Sequence, residues 1–422
     1  MIIKLAFKNL FLQKKRYTLM TIAVATGFLL ITILSALSQG AIDTIRLKAA
    51  RYFSGQICVY GLNGDFRDVE NPDYYVDLLR TSKLPIEKVS KRSILYDDSE
   101  GMLYFNGSYV TMRKIIGVDF ETEKKQLSKL PFIEGGIGDG ILISRAITDD
   151  LGANVGDNIT LSITTRNGQA NTITLPISGI FDELNIFGYS IYVDREKVNT
   201  LANYPAEYVS EIAVYTKKGA NITKTQENIR QILLQEANVL PPILTRDEFT
   251  KSLHSVPTGE RAFAVVSIDT QLAQITMLLN AFEICTYFVL IIFMLITAIG
   301  IINTYRVIIH NRTNEIGTMR ALGIQKTTII KIFLTEAVIL SIVASLIGFI
   351  IAVMALPITQ LFEFTITPAI NMFTEFGKLQ YTVKLNSMIL HLILITISIV
   401  LAVLEPSKKA ATISPADALR TI

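Results

Sequence analysis

Apolar and polar positions divide this chain into long apolar runs and polar stretches that separate them. Four runs, at 17–39, 281–309, 329–357 and 387–404, are dominated by Leu, Ile, Val, Phe and Ala. An α-helix rises 1.5 Å per residue, so ~20 apolar residues cross a ~30 Å hydrocarbon core, and each run is predicted to be a membrane-spanning helix. The first run exceeds the 7–15 apolar residues of a cleaved signal peptide, which marks it as an uncleaved anchor. The remaining segments are a lead-in at 1–16, a large insertion at 40–280, a short polar loop at 310–328, a connection at 358–386 and a tail at 405–422.

The insertion changes pattern from long apolar runs to alternation punctuated by turn residues. MLYFNGSYVTM carries Asn106-Gly107 between two alternating segments, a two-residue hairpin signal because both central positions need positive φ. GILISRAITDDLGANVGDNITLSI predicts strand, short helix, turn and strand, with Ser144 capping the helix, Gly152 as its left-handed exit and Gly156-Asp157 as the turn. Asn167-Gly168 predicts a second hairpin tip, and Ile229, Ile232 and Leu233 place apolar residues at helical spacing. The expected fold is therefore an α-helical membrane protein with four transmembrane helices and a large α+β extracytoplasmic domain between helices 1 and 2. The second run, continued upstream by DTQLAQITMLLNAF, predicts an unbroken rod longer than the bilayer core.

Composition agrees with a membrane protein: half of the residues are hydrophobic and only 18% are charged. The 40 basic and 37 acidic residues nearly cancel to a net charge of +3, which excludes nucleic acid as an expected partner. Basic residues flank the runs asymmetrically: Lys4, Lys8, Lys14, Lys15 and Arg16 before the first, Arg306, Arg312, Arg320, Lys326 and Lys331 around 310–328, and Lys408, Lys409 and Arg420 in the tail. By the positive-inside rule both termini and 310–328 are cytoplasmic, and the large domain lies on the other side of the membrane.

Motifs for catalysis are missing from the sequence. It has no G-x-x-x-x-G-K-[ST] phosphate loop, and GGIGDG at 135–140 precedes a strand instead of opening a helix. His254, His310 and His391 are dispersed, and Cys58 and Cys285 fall in different compartments, so no metal site or disulfide is expected. Catalysis is left only to an arrangement of residues that sequence spacing hides, and the family resemblance given below implies a non-catalytic subunit. Glu336, about one turn inside the third run, and Glu283, at the outer end of the second, are intramembrane polar candidates. Both are read as reaching water or a neighbouring lysine, Lys331 in the case of Glu336. Asn303 and His391 are read likewise, and Gly27, Ser341, Ser345 and Gly348 as sites of close helix approach.

The loop HNRTNEIGTMRALGIQKTTI reads as a short helix capped by Thr313 or Asn314, with Glu315 in its first turn, Arg320 in its last and Gly323 at its end. Ile316, Met319 and Leu322 form an apolar stripe, which fills either a groove in another protein or the protein's own helix bundle.

The segment NRTNEIGTMRALGIQKTTIIKIFLTEAVILSIVASLIGFIIA resembles the signature of the FtsX-like permease family, whose branches include MacB and the lipoprotein-releasing LolC and LolE. The matching positions are Glu315, Ile316, Gly317, Arg320, Ala321, Gly323 and Glu336, with Arg312 three before Glu315 and Asn314 replacing a basic residue common in the family. PSKKAATISPADALR resembles the family's tail at Pro406, Ala410, Pro415, Ala418, Leu419 and Arg420. LAFKNLFLQKKRYTLMTIAVATGF and ILISRAITDDLGANVGDNITL resemble its amphipathic lead-in with first helix and its external domain.

The resemblance implies the transmembrane subunit of a mechanotransmission-type ABC transporter, closest in layout to the lipoprotein-releasing permeases. Residues Glu315, Ile316, Gly317, Met319, Arg320, Ala321, Leu322 and Gly323 would form a coupling helix seated in a separate ATPase, present in two copies and binding ATP and Mg, beside a second permease chain, identical or paralogous. The implied cargo is lipoprotein, with MacB-like efflux of peptides or drugs through a periplasmic adaptor, FtsX-like control of a cell-wall hydrolase and a non-transport sensor as alternatives. Val24, Phe28, Phe288 and Ile292 are the candidate lining of an apolar cargo cavity between chains.

Overall fold

The computed structural model describes residues 14–64, 66–96, 101–165, 167–184, 187–253, 255–364 and 368–413. Its long helices are α1 (Lys14–Tyr52), α2 (Ala273–Asn311), α4 (Lys326–Ala355) and α5 (Leu385–Ala411), with a short α3 (Thr313–Ala321) between α2 and α4. Among the described residues, these four long helices are sufficiently apolar and extended to cross a membrane. At 39 residues each, α1 and α2 are ~58 Å long, nearly twice the hydrocarbon thickness. The apolar runs at 17–39 and 281–309 are therefore only parts of longer helices.

The chain forms two units. The first comprises residues through Ala41, Asn280–Phe362 and the residues from Leu379 onward. Its core joins Tyr17, Val24 and Phe28 of α1, Tyr305 and Ile308 of α2, Ile316 of α3, Phe333 and Leu340 of α4, and Ile399 and Val403 of α5. Small residues set the helix spacing. A Cβ on Gly27 would fall 1.6 Å from the Phe293 ring, and one on Gly348 2.3 Å from the Ala25 carbonyl oxygen. Ser341 and Ser345 are buried on the same face of α4, where Ser341 meets Thr396 of α5 at 3.1 Å. The opposite faces of α2, α4 and α5 expose Phe288, Ile350 and Leu401, as a lipid-facing surface requires.

The second unit comprises Ile42–Leu279 and Glu363–Lys378. Strands β1 (Ile57–Leu62), β2 (Ile86–Tyr96), β11 (Glu211–Thr216) and β12 (Ala262–Ser267) lie in the order β12–β1–β11–β2, all antiparallel. Helices Pro72–Thr81 and Ile222–Leu233 cross between β1 and β2 and between β11 and β12, a β-α-β-β-α-β arrangement. Val76, Leu79, Ile229 and Leu233 of these helices pack on Val59, Val89 and Val214 of the sheet.

Between β2 and β11 the chain inserts β3 (Met102–Phe105), β4 (Ser108–Thr111), β5 (Lys114–Val118), β6 (Phe132–Gly135), β7 (Ile141–Ser144), β8 (Asn158–Thr164), β9 (Ala170–Phe181) and β10 (Ser190–Asp194). They run β5–β10–β7–β9–β8–β3–β4 with β6 against β9, and the β5–β10 and β7–β9 pairs are parallel, giving the expected mixed sheet. Strand β2 serves both halves: Ile86–Arg92 pair with β11, and Ser93–Tyr96 with β5.

Turn chemistry placed these elements correctly. Asn106 and Gly107 have φ of 47° and 85° at the β3–β4 tip, and Gly168 has φ 75° between β8 and β9. Ser144 accepts from the Ile147 N–H, and Gly152, φ 68°, ends helix Arg145–Leu151.

The connection 358–386 is more than a short loop. Residues 363–378 belong to the α+β unit, where Asn371 accepts from Lys48 Nζ through its carbonyl oxygen at 2.8 Å and Oδ1 at 3.1 Å. Glu375 pairs with Arg51 at 2.7 Å, while Met372 and Phe373 pack with Ile45, Ala49 and Phe187.

Candidate coupling-helix site

Helix α3 follows α2 after a single non-helical residue, Arg312, with φ −104° and ψ 13°. The Arg312 N–H donates to the carbonyls of Ile308 and Ile309, and the Ile316 N–H donates to that of Arg312, leaving no break in which a separate cap can form. Thr313 and Asn314 are accordingly not caps, contrary to expectation. Thr313 Oγ1 instead donates back to the His310 carbonyl at 2.7 Å. At the other end Gly323 adopts φ 85°, as expected of a left-handed exit, and Arg320 Nη1 donates to the Ile324 carbonyl at 3.2 Å.

The apolar stripe divides between the two expected uses. Ile316 is fully buried in the bundle and Met319 packs half-buried against it, with Gly317 also buried, whereas Leu322 is 79% exposed. Glu315, Ala321 and Gly323 share the exposed side with Asn314 and Thr318, and Arg320 is half-buried.

Glu336 corrects the sequence reading. Its side chain is completely buried and pairs with Arg312. Arg312 Nη1 donates to Glu336 Oε1 at 3.1 Å, and the Tyr17 hydroxyl donates to Oε2 at 2.8 Å. Arg312 Nε donates to Glu315 at 3.0 Å, and the guanidinium lies over the Phe333 ring at 5.2 Å. A carboxylate removed from water requires a cation at hydrogen-bond distance, and a planar guanidinium can serve two carboxylates at once. Arg312 and Tyr17 were not singled out as site residues. The available signal was the Arg-x-x-Glu spacing together with a lone Glu in an apolar helix.

The candidate cargo residues do not share one surface within the chain. Val24 and Phe28 are enclosed in the bundle core, whereas Phe288 and Ile292 are exposed on α2. A cavity of about 400 Å³ opens instead between Leu19, Met20 and Ala23 of α1 and Ile296, Gly300 and Thr304 of α2. Glu283 accepts from Gln39 at 3.0 Å, and Gln39 in turn accepts from Lys384. His391 is buried edge-on to Tyr287, and Asn303 is exposed. Among the described residues no group of His, Cys, Asp or Glu is arranged to hold a metal, and Cys58 and Cys285 are free; His254 and Pro415–Arg420 lie outside them.

A buried ionic cluster in the α+β unit was not legible either. Arg92 pairs with Glu123 at 2.7 Å, Lys48 with Glu183 at 2.8 Å, and Lys114 lies 3.6 Å from Glu211. Lys114 Nζ also donates to the Tyr52 carbonyl at 2.6 Å, and Ser54 Oγ to Glu211 at 2.6 Å, so the end of α1 is built into this unit. Burial pushes the Cys58 thiol up, keeping it an S–H donor to Glu211. Burial also tends to raise Glu211, but Lys114 and Ser54 outweigh it and hold the carboxyl below its ordinary value.

Four apolar helices, an α+β domain inserted after the first, and a short helix anchored between the second and third define a membrane permease. The model of the MacB-like periplasmic core domain matches residues 17–232, and that of the FtsX-like permease C-terminal region matches 287–415. The chain belongs to the FtsX-like permeases that carry a MacB-like periplasmic core domain, and it is an ABC transporter permease of the FtsX/MacB type. It is 22% identical to the uncharacterized ABC transporter permease YvrN of Bacillus subtilis over 99% of this chain and 98% of that one. It is 37% identical to the ABC transporter permease YtrF of the same organism over 21% of each chain. It is 25% identical to the macrolide export ATP-binding/permease protein MacB 2 of Aeromonas hydrophila, over 42% of this chain and only 25% of that protein.

Proposed function

We propose that this permease transmits work from an ABC ATPase outside this sequence to its α+β domain, with α3 as the contact and ATP and Mg bound by that partner. One observation carries the reading: α3 is rooted by buried Ile316 and the Arg312 pairs, yet leaves Leu322 largely exposed. A helix fixed at one side and open at the other suits a groove in a partner. The positive-inside pattern supports a cytoplasmic α3, cytoplasmic termini and therefore a cytoplasmic partner, with the α+β domain outside. A second permease chain, identical or paralogous, would complete the assembly.

Lipoprotein release is our reading of the cargo, handled at the outer face without a pore. The apolar cavity between α1 and α2 supports it, as a surface able to take an acyl chain. MacB-like export of drugs or peptides through an adaptor is equally supported, because the MacB-like core domain covers half of the chain. Mass spectrometry of cargo co-purified from native membranes separates the two: bound acylated protein supports release, and peptides or small molecules alone overturn it.

The contact itself is tested with Leu322→Asp. Met319 is a poorer probe, because its substitution would also disturb the bundle. A charge in a desolvated interface should lower ATPase retention about tenfold or more, or about 1.4 kcal/mol, without affecting membrane insertion. Unchanged retention, measured by co-purification with a co-expressed ABC ATPase, would overturn the assignment.

A further inference from the structure

We propose that Glu336 is a positioning residue for this stroke. As the common acceptor of Arg312 and Tyr17, it fastens α3 to α4 and α1, so that displacement of α3 reaches both helices together. The inference rests on α3 being the ATPase contact and adds the part that makes the contact stiff.

Arg312 occupies the one non-helical position between α2 and α3, where the chain would otherwise bend. Its guanidinium divides its donors: Nε holds Glu315 in the first turn of α3, and Nη1 holds Glu336, one of the helical residues of α4. Tyr17 takes the second carboxylate oxygen and ties in α1, more than three hundred residues away in sequence. The rings close around the pair, with Phe333 beneath the guanidinium and Tyr305 edge-on to both Tyr17 and Phe333.

The chemistry makes this joint nearly all-or-none. If α3 swung away, Glu336 would lose the Arg312 guanidinium at a fully buried position. A partly bent intermediate is therefore disfavoured, and α3 moves with its two neighbours or not at all. A lysine at position 312 would not reproduce this, because it lacks the planar fork that serves both carboxylates.

Pulsed electron–electron distance measurements on the full chain in lipid nanodiscs test the proposal. Cys58 and Cys285 are replaced by serine, and labels are placed on exposed Thr318 of α3 with either Ile342 of α4 or Leu30 of α1. Both pairs should give one narrow distance. Glu336→Gln should abolish the narrow distance in both pairs. The milder Tyr17→Phe should broaden only Thr318–Leu30, and less than Glu336→Gln does, because the Arg312–Glu336 contact and the close approach of α4 to α1 at Gly348 remain. A control pair, Ile342–Leu401, should stay narrow throughout. Unchanged distributions in Glu336→Gln would overturn the proposal, as would broadening of the control pair, which would mean that the bundle had merely loosened. The distances are read without an ATPase. Failure of the chain to bind one would thus sink the functional reading above and be distinguishable from failure of the joint.

Discussion

Glu211 is completely buried, yet its carboxyl is held below the ordinary value of 4.5. In the unfolded chain it would titrate near that value, so on acidification the unfolded state takes up a proton before the folded state does. The stabilisation is present above pH 4.5 and is lost as the pH falls through the lower folded value. Calorimetry of the detergent-solubilised chain between pH 6 and 3 should show the melting temperature falling in this window. In Glu211→Gln the fall should be shallower. That variant should also start less stable at neutral pH, because Lys114 loses a buried carboxylate beside it. A parallel acid limb in both proteins would remove Glu211 as its source. None of this was legible in the sequence, where Glu211 and Lys114 are separated by most of the inserted lobe and only the folded sheet brings them together.

At the scale of the element, the readable features were those with local physical causes. Lipid demands long apolar runs, so the four spanning helices stood out, and positive φ demands Gly or Asn, so the hairpin at Asn106-Gly107 did as well. Helix ends were less legible, because beyond Leu37 the first helix continues as a polar sequence that gains its order from packing Ile42, Ile45 and Ala49 inside the α+β unit. The packing of α4 on α1 provides a test. Gly348→Ala puts a methyl 2.3 Å from the Ala25 carbonyl oxygen, a backbone atom that cannot rotate away, whereas at Gly300 no atom lies within 4 Å. The first substitution should cost about 1–3 kcal/mol by overpacking, while Gly300→Ala should be neutral or slightly stabilising. Thermal melts followed by circular dichroism compare them directly; the chain has no tryptophan to report by fluorescence. Equal melts would show that α4 and α1 do not approach as closely as the described packing requires.

For the whole molecule, the larger unit is not continuous in sequence. Residues 363–378, which look in the sequence like part of a plain connection between two spans, supply Asn371 to Lys48 and Glu375 to Arg51. Lys48 is almost wholly buried, and beyond Glu183 its ammonium donors are met by Asn371 through both its backbone and its side-chain oxygens. A domain cut out at 42–279 would therefore carry a buried lysine with part of its coordination missing, together with the apolar surface that Met372 and Phe373 cover. A hydrogen bond to a charged group contributes about 1.5–3 kcal/mol, so that excised domain should melt well below the same domain with 363–378 joined through a flexible linker. Asn371→Ala in the linked protein should lose a good part of the difference, since the substitution removes Oδ1 but leaves the backbone carbonyl. If the two excised proteins melt together, the segment contributes nothing to the unit. The connection between the third and fourth spans would then be only a tether. If they differ as expected, the α+β unit is held by two separate parts of the chain.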